Sequence, residues 1–242
     1  MFDKQIKLLL MSKDLDNRYF IILNKDKIIF SCLNNENKIL FTKSHALTNG
    51  LNNLFEELEK FLIHNLIDIE KSLKNFIKKI YIILDTDNSM SVHLSIRYKL
   101  ETEKINEHRI NDLLSYLTNQ FTKYSNDQKI IHMTIIKLLI DGMEKDLSLI
   151  RETSNNLILE VKFECLKNQI VNIIKKLFSN YQISVDKILL ANHLRQFAER
   201  RTDDIVFLAN KFINGEYEND VMWTRKKMIK KGFFERFFRF FI

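Results

Sequence analysis

Two apolar, β-branched runs near the start of the chain restrict the folds that this sequence can adopt. Residues 18–23 read RYFIIL and residues 27–33 read KIIFSCL, with three residues between them. Runs of this length and composition are typical of strands, and their closeness predicts that the two strands pair. A turn at residues 34–37 then leads to a third predicted strand at residues 38–42.

Beyond these strands, the apolar periodicity alternates between helix and strand. The spacing of Leu51, Leu54, Phe55, Leu58 and Leu62 predicts a helix over residues 48–72, with Thr48 as its cap. Further helices are predicted at 106–124, 167–180 and 193–212, and strands at 78–84, 89–98, 129–140, 156–165 and 185–190. Three strands, a crossover helix and another strand indicate an α/β (mixed α+β) fold, here with a β-α-β-β insert.

The scarcity of glycine excludes the usual loop-type nucleotide sites. The chain has four glycines, no proline and no GxGxxG or GxxxxGK[ST] run, and phosphate loops need glycine for close backbone approach. The six histidines are scattered without metal-site spacing. Cys32 and Cys165 lie far apart in apolar runs, which predicts buried free thiols in a reducing cytoplasm. We therefore expect no cofactor and no metal.

No residue pattern points to catalysis. Asp85 and Asp87 follow a predicted strand, where catalytic carboxylates often lie, but turn-forming aspartates are the simpler interpretation, as they are for Asp141 before Gly142. The apolar run at residues 6–11 is too short for a secretory signal, and no run of 18 apolar residues predicts a membrane-spanning helix. We expect neither an enzyme nor a small-molecule substrate.

Most of the positive charge is concentrated in residues 221–242. The formal net charge of the chain is +7, and seven basic residues with one acid, Glu235, put +6 of it in this segment. The nearly neutral remainder argues against a broad nucleic-acid-binding surface. The basic residues of the segment are Arg225, Lys226, Lys227, Lys230, Lys231, Arg236 and Arg239.

The same segment carries six of the nineteen phenylalanines: Phe233, Phe234, Phe237, Phe238, Phe240 and Phe241. On a helix these rings fall within an arc of about 160°, with Arg236, Arg239 and Glu235 on the other side. This separation predicts an amphipathic helix lying in the surface of an anionic membrane. Packing of this helix on the body or on a partner is the alternative.

Three local patterns lie in a definite order along the chain. They are the strand Ile80–Leu84 entering an insert, Leu-Ile-Asp-Gly at residues 139–142, and Cys165-Leu-Lys-Asn168 followed by Ile183-Ser-Val-Asp-Lys-Ile188. In these patterns the chain resembles FtsA, the actin-like protein that tethers the bacterial division ring to the membrane. The resemblance covers about residues 19–198 and the C-terminal segment. FtsA also ends in a basic amphipathic helix. The pilus-assembly protein PilM, which has the same kind of insert, is the second choice.

The resemblance implies a domain organisation and a role. Residues 1–84 and 181–215 would form a partial actin-like (ribonuclease-H-like) subdomain, residues 85–180 an inserted interaction subdomain, and residues 221–242 the membrane helix. The implied function is a peripheral adaptor on the cytoplasmic face of the inner membrane, which binds division proteins or itself through the insert. The family's D-x-G-T phosphate loop is replaced by residues 23–27 without glycine, and the second actin lobe is missing.

Two other roles fit the same residues. A PilM-like adaptor of a pilus or secretion platform has the same kind of insert, although the membrane-binding C-terminal segment favours FtsA over PilM. A nucleic-acid-binding protein would use the basic C-terminal segment as an arm, as the sequence pI near 9.2 allows. Against the second alternative, phenylalanines on one continuous face are not typical of an arm that binds nucleic acid.

Overall fold

The computed structural model describes residues 17–47, 53–145, 153–200 and 203–217, together with Val221. The described strands form two sheets. The first sheet, here called sheet A, has the order β3-β2-β1-β4-β9. Its strands are β1 (Arg18–Leu23), β2 (Lys27–Leu33), β3 (Ile39–Ala46), β4 (Lys79–Leu84) and β9 (Ser184–Leu190).

Sheet A combines a hairpin meander with a parallel half. β1 pairs antiparallel with β2, and β2 with β3, whereas β1, β4 and β9 run parallel. Parallel neighbours need a crossover, and a helix supplies it between β1–β3 and β4. The carboxyl ends of β1, β4 and β9 therefore lie side by side at one edge, at Leu23, Leu84 and Leu190.

The second sheet, sheet B, is antiparallel and has the order β5-β8-β6-β7. Its strands are β5 (Met90–Lys104), β6 (Gln128–Ile140), β7 (Met143–Glu144) and β8 (Thr153–Lys167). Side chains alternate between its two faces, so one face carries the buried row Leu157, Leu159, Val161, Phe163 and Cys165 of β8.

In the described ranges, five helices cover the two sheets: α1 (Leu54–Leu73), α2 (Glu107–Tyr124), α3 (Asn168–Ser179), α4 (Ala191–Arg195) and α5 (Ile205–Ile213). α1 and α3 pack on one face of sheet A, while α4 and α5 pack on the other face. α2 packs on sheet B through Ile110, Leu113, Leu114, Leu117 and Phe121. None of the described helices has both the length and the hydropathy needed to cross a bilayer.

The predicted mixed α/β fold with a strand-rich insert is confirmed. The helix predicted over residues 193–212 is wrong, because α4 ends at Arg195 and α5 begins at Ile205. The connection between them is closed locally: the Asp203 carboxylate accepts hydrogen bonds from the amides of Glu199 and Arg200. The Asp204 side chain then caps α5 by accepting from the Val206 amide. The break coincides with residues 199–204 (ERRTDD), which contain no apolar residue and which the predicted helix spanned.

Several strands are longer than their apolar cores indicated. β3 extends to Ala46, β5 runs from Met90 to Lys104, and β8 runs from Thr153 to Lys167. β7 has only two residues and therefore shows no periodic pattern in the sequence. The predicted cap Thr48 lies outside the described residues. The resemblance implied that the insert ends at residue 180 and so contains the helix α3. In the structure, α3 packs through Val171, Ile174 and Phe178 into the core of sheet A. Cys32 and Cys165 are buried free thiols, and burial raises their pKa values to about 11 and about 12.

The packing of sheet B against α2 generates a stability prediction. Phe163 is fully buried and lies edge-on to Phe121, with 5.5 Å between ring centroids. We expect Phe163→Ala to lower the free energy of unfolding by about 3–5 kcal/mol in urea titrations, because a cavity replaces the ring. Tyr116→Ala, on the exposed side of α2, serves as the control and should change it by less than about 0.5 kcal/mol. Equal effects would contradict the assigned core.

Candidate functional site

Two polar clusters are built from residues that lie far apart in the sequence. The first occupies the carboxyl edge of the parallel strands β1, β4 and β9, where open α/β sheets hold their ligands. The second lies where β6 of sheet B meets the end of β9 of sheet A. We call them the edge cluster and the junction cluster.

The edge cluster begins in the β1–β2 turn. Asn24 accepts hydrogen bonds through its side-chain oxygen from the amides of Asp26 and Lys27, at 2.9 and 2.7 Å, and so forms the turn without glycine. The turn projects Lys25, whose ammonium lies 2.5 Å from the carboxylate of Asp87 beyond β4. That carboxylate raises the pKa of Lys25.

A second ion pair closes the neighbouring part of the same edge. Arg195 at the end of α4 donates from both terminal nitrogens to Asp85, at 2.9 and 2.5 Å, and also to the side-chain oxygen of Asn192 at 3.0 Å. The guanidinium lowers the pKa of Asp85, against the opposing effect of partial burial. Asp85 therefore forms an ion pair with Arg195, and Asp87 forms one with Lys25. The sequence had favoured only a turn-forming role for the two aspartates.

In the edge cluster, the basic groups of Lys25 and Arg195 are both paired with carboxylates. A phosphate entering here would have to compete with Asp85 for Arg195 and with Asp87 for Lys25, and no glycine lets the backbone approach it. Within the described ranges, no group of three or more histidine, cysteine or acidic side chains is placed to hold a metal ion.

The junction cluster is centred on two stacked imidazoles. His132 of β6 and His193 of α4 lie parallel, with 3.9 Å between ring centroids and 14° between ring planes. Phe212 of α5 stands edge-on to both rings, at 5.1 and 5.5 Å. Phe197, itself stacked on Tyr217, packs edge-on against His193 at 5.2 Å.

A hydrogen bond across the junction fixes the protonation of His132. The backbone amide of Leu190, at the end of β9, donates to His132 Nε2 at 2.9 Å. An accepting Nε2 requires a neutral ring with its proton on Nδ1. Burial lowers the pKa of His132 well below its ordinary value, and His193 nearby lowers it further. Nδ1 is buried and has no hydrogen-bond partner in the part of the chain that the structure describes.

Glu164 of β8 places a negatively charged carboxylate beside the two imidazoles of the junction cluster. One carboxylate oxygen lies 3.1 Å from His193 Nδ1, and the other lies 2.6 Å from Lys162 Nζ. Burial raises the pKa of Glu164, but hydrogen bonds from His193 and Lys162 outweigh it, and the pKa falls to about 2. Gln196 lies within 3.4 Å of the same carboxylate.

The junction cluster is suited to holding the two sheets together rather than to turnover. His193 is fully buried and His132 nearly so, so no substrate reaches the rings, and stacked rings cannot direct their nitrogens at one metal ion. The sequence treated the histidines as structural or surface residues and did not identify this pair. The sequence offers one indication of this pair: His132 and His193 each lie in a mainly apolar segment, where a histidine is expected to be buried.

The predicted membrane site is described only at its first residue. Val221 is half-buried against the sheet B core, and its amide donates to the Met133 carbonyl of β6 at 2.9 Å. The thirteen predicted membrane-binding residues, between Arg225 and Phe241, lie outside the described residues, and so does the predicted amphipathic helix. The segment that carries them begins beside sheet B.

Comparisons with known proteins give a partial likeness. No protein-family model and no curated protein matches the sequence. One similar solved structure is a PilM-PilN type IV pilus biogenesis complex, with a TM-score of 0.43, 7% identity, 73% of this chain covered and 48% of that chain covered. Another is the cytoplasmic domain of EpsL from the type II secretion system of Vibrio cholerae, with a TM-score of 0.39, 10% identity and coverages of 76% and 60%.

The chain thus spans less than two thirds of the length of both structures, and TM-scores below 0.5 do not decide its function. EpsL is an inner-membrane component of its secretion system. Neither structure is FtsA, so the resemblance to FtsA predicted from the sequence is not shown. PilM, the second choice, is named in one of the two structures.

The junction cluster makes stability dependent on pH in a defined direction. A histidine whose folded-state pKa is lowered stabilises the fold above its ordinary value of 6.5 and loses that stabilisation as the pH falls. We expect the free energy of unfolding to decline below pH 6.5, by up to about 1.4 kcal/mol per pH unit for one proton. Glu164, with its pKa lowered to about 2, adds a second loss as the pH falls below 4.5.

Urea titrations between pH 7.5 and 5 check this, with His132→Gln as the test variant, since glutamine can still accept the Leu190 hydrogen bond but does not titrate. Its stability should vary less with pH than that of the wild type. His93→Gln, at an exposed position of β5, should leave the wild-type pH dependence intact. If His132→Gln follows the wild-type curve, His132 is not held neutral by the fold.

Proposed function

We propose that this protein is a non-enzymatic adaptor that binds the cytoplasmic surface of the inner membrane through residues 221–242 and offers sheet B to other proteins. The observation that carries the proposal is the Val221 amide bonded to the Met133 carbonyl. This contact starts the basic, phenylalanine-rich segment at the side of sheet B, so a membrane bound by that segment would lie near the insert.

The edge cluster supports the non-enzymatic part of the proposal. In an actin-like enzyme, the carboxyl edge of the parallel strands would have to admit nucleotide phosphates. Here the Lys25–Asp87 and Arg195–Asp85 pairs bridge that edge, and the β1–β2 turn is closed by Asn24 instead of a glycine-rich loop. The residues that could bind phosphate serve to connect β1, β4 and α4.

Two assemblies are candidates for the partner system. A PilM-like role in a pilus or secretion platform corresponds to the systems named for the two similar structures. A cell-division role corresponds to the FtsA resemblance, with the insert contacting division proteins or other copies of this chain. Co-purification from membranes distinguishes them: pilus or secretion inner-membrane proteins support the first role, and division proteins support the second.

Membrane binding is tested by co-sedimentation with vesicles. We expect the full chain to pellet with vesicles rich in phosphatidylglycerol and less with phosphatidylcholine, because each basic residue near an anionic surface contributes about 1 kcal/mol. A chain ending at Val221 keeps the Met133 contact and should stay in the supernatant. The triple variant Phe234→Ser, Phe237→Ser, Phe241→Ser keeps every charge and should pellet less, since the inserted apolar area is reduced.

Equal pelleting of the full and shortened chains, or of neither, would place the membrane contact elsewhere. If the triple variant pellets like the wild type, then charge alone attracts the chain and no apolar face inserts. Tight binding to single-stranded nucleic acid in the absence of lipid would instead support the basic-arm alternative.

The absence of nucleotide binding is tested by thermal unfolding. A ligand at about 100 times its Kd stabilises a protein by about 2.7 kcal/mol, which shifts Tm by several degrees. With about 1 mM ATP and excess Mg²⁺ we expect the same Tm as with Mg²⁺ alone, because the edge cluster occupies its own basic groups. A Tm raised by ATP and not by Mg²⁺ would overturn the non-enzymatic proposal.

A further inference from the structure

β5 is a long edge strand that pairs on one side only. Ten consecutive residues, Met90 to Lys99, face partners on β8 without a break in register. In the part of the chain that the structure describes, no strand pairs with its other side. The strand also has no proline, and no bulge occurs before Lys99. An edge with these properties is a template for another strand.

The apolar row of β5 is incompletely covered. Val92, Leu94, Ile96 and Tyr98 face α2 and are half-buried. Their partners on β8 are Phe163, Val161, Leu159 and Leu157, and each of these is at most 1% exposed. On the α2 side of sheet B, side chains are therefore less buried at β5 than at β8. An added strand with apolar residues on this face would bury the β5 row further.

The opposite face of β5 is basic. It carries Ser91, His93, Ser95, Arg97 and Lys99, and no residue from 90 to 99 is acidic. Arg97 and Lys99 are exposed and form no ion pair with the described residues. Opposite charges directly across a strand pair are stabilising, and like charges are destabilising. A strand that pairs here should present acidic residues on this face.

We propose that β5 is a docking edge for an extended segment of a partner protein in which apolar and acidic residues alternate. The apolar residues would continue the row that covers the α2 side, and the acidic residues would lie opposite Arg97 and Lys99. Backbone hydrogen bonds along the edge would supply affinity, and the alternating side chains would supply specificity. This inference deepens the adaptor role proposed above and rests on it, but its test uses no lipid, so the two can fail separately.

A second copy of this chain is a poorer occupant. Antiparallel pairing of two β5 strands about Ser95 sets Arg97 opposite His93 and Lys99 opposite Ser91 of the other copy. Centring the pairing on Arg97 sets the two Arg97 side chains opposite each other. The acids of β5, Glu101 and Glu103, lie beyond Lys99, where the register of the strand is irregular. No register within residues 90–99 supplies an acid, so electrostatics favour a different, acidic strand.

The probe is a fluorescein-labelled ten-residue peptide that alternates valine and glutamate, measured by anisotropy with the full chain. We expect saturable binding. Arg97→Glu with Lys99→Glu should weaken it at least tenfold. Lys175→Glu with Lys176→Glu is the matched control, because these α3 residues are exposed and the change in net charge is the same. That control should bind nearly as well as the wild type.

Two N-methylated peptides separate strand pairing from general attraction. One is methylated at every valine amide and the other at every glutamate amide, so charge and composition are identical. An edge strand uses only one of these two sets of amides, and we expect the two affinities to differ at least tenfold. This comparison uses the wild-type protein and so does not depend on how any variant folds.

Several results would overturn the proposal. Equal affinity for the two N-methylated peptides would show attraction without strand pairing. Equal loss in the β5 and α3 charge variants would show binding to positive charge in general. No binding up to about 1 mM peptide, a limit near −4 kcal/mol, would remove the docking edge. Dimers of the wild-type chain that form without peptide and dissociate when the peptide is added would assign β5 to a second copy instead.

Discussion

The hydrogen bond from the Leu190 amide to His132 Nε2 is the contact on which the arrangement of the two sheets depends. It joins the end of β9 in sheet A to the middle of β6 in sheet B. Leu190 is followed at once by α4, which brings His193 onto His132 and Arg195 onto Asp85. The junction cluster and the edge cluster are therefore held in place by the same short stretch of chain.

A polar junction between apolar cores has a physical consequence. Apolar packing tolerates sliding, whereas a buried hydrogen bond loses about 1–3 kcal/mol when one partner is left unsatisfied. The stacked imidazoles and the carboxylate of Glu164 are buried, and so they favour one relative position of the sheets. The contact of Val221 with β6 and the free edge of β5 both belong to sheet B, so the pairing of β6 and β5 with β8 sets the distance between them. Rigidity of this kind is compatible with the adaptor role proposed above.

Much of the fold could be predicted, and the failures have identifiable causes. β1, β2 and β4 were located by their dense β-branched residues, because a buried strand shows its pattern in six or seven positions. α2 was located by its apolar spacing, and the structure adds that Asn106 caps it by accepting from the Arg109 amide. The break between α4 and α5 was missed because the prediction assigned the polar residues 199–204 to the exposed part of one helix, whereas the loop closes through hydrogen bonds to Asp203. β5 and β8 were predicted too short because edge and terminal residues gain their strand structure from pairing, not from their own pattern.

The sequence by itself determined most of the secondary structure elements, the mixed α/β class, the buried thiols and the concentration of charge in residues 221–242, because each depends on residues close together in the chain. Only the tertiary structure decided the candidate sites. His132 reaches Leu190 across 58 residues and Arg195 reaches Asp85 across 110. Such pairs leave no periodic signal, since their geometry arises only when the parallel strands align their carboxyl ends and α4 folds back over them. The protonation of His132 was likewise decided by burial, which no local pattern specifies.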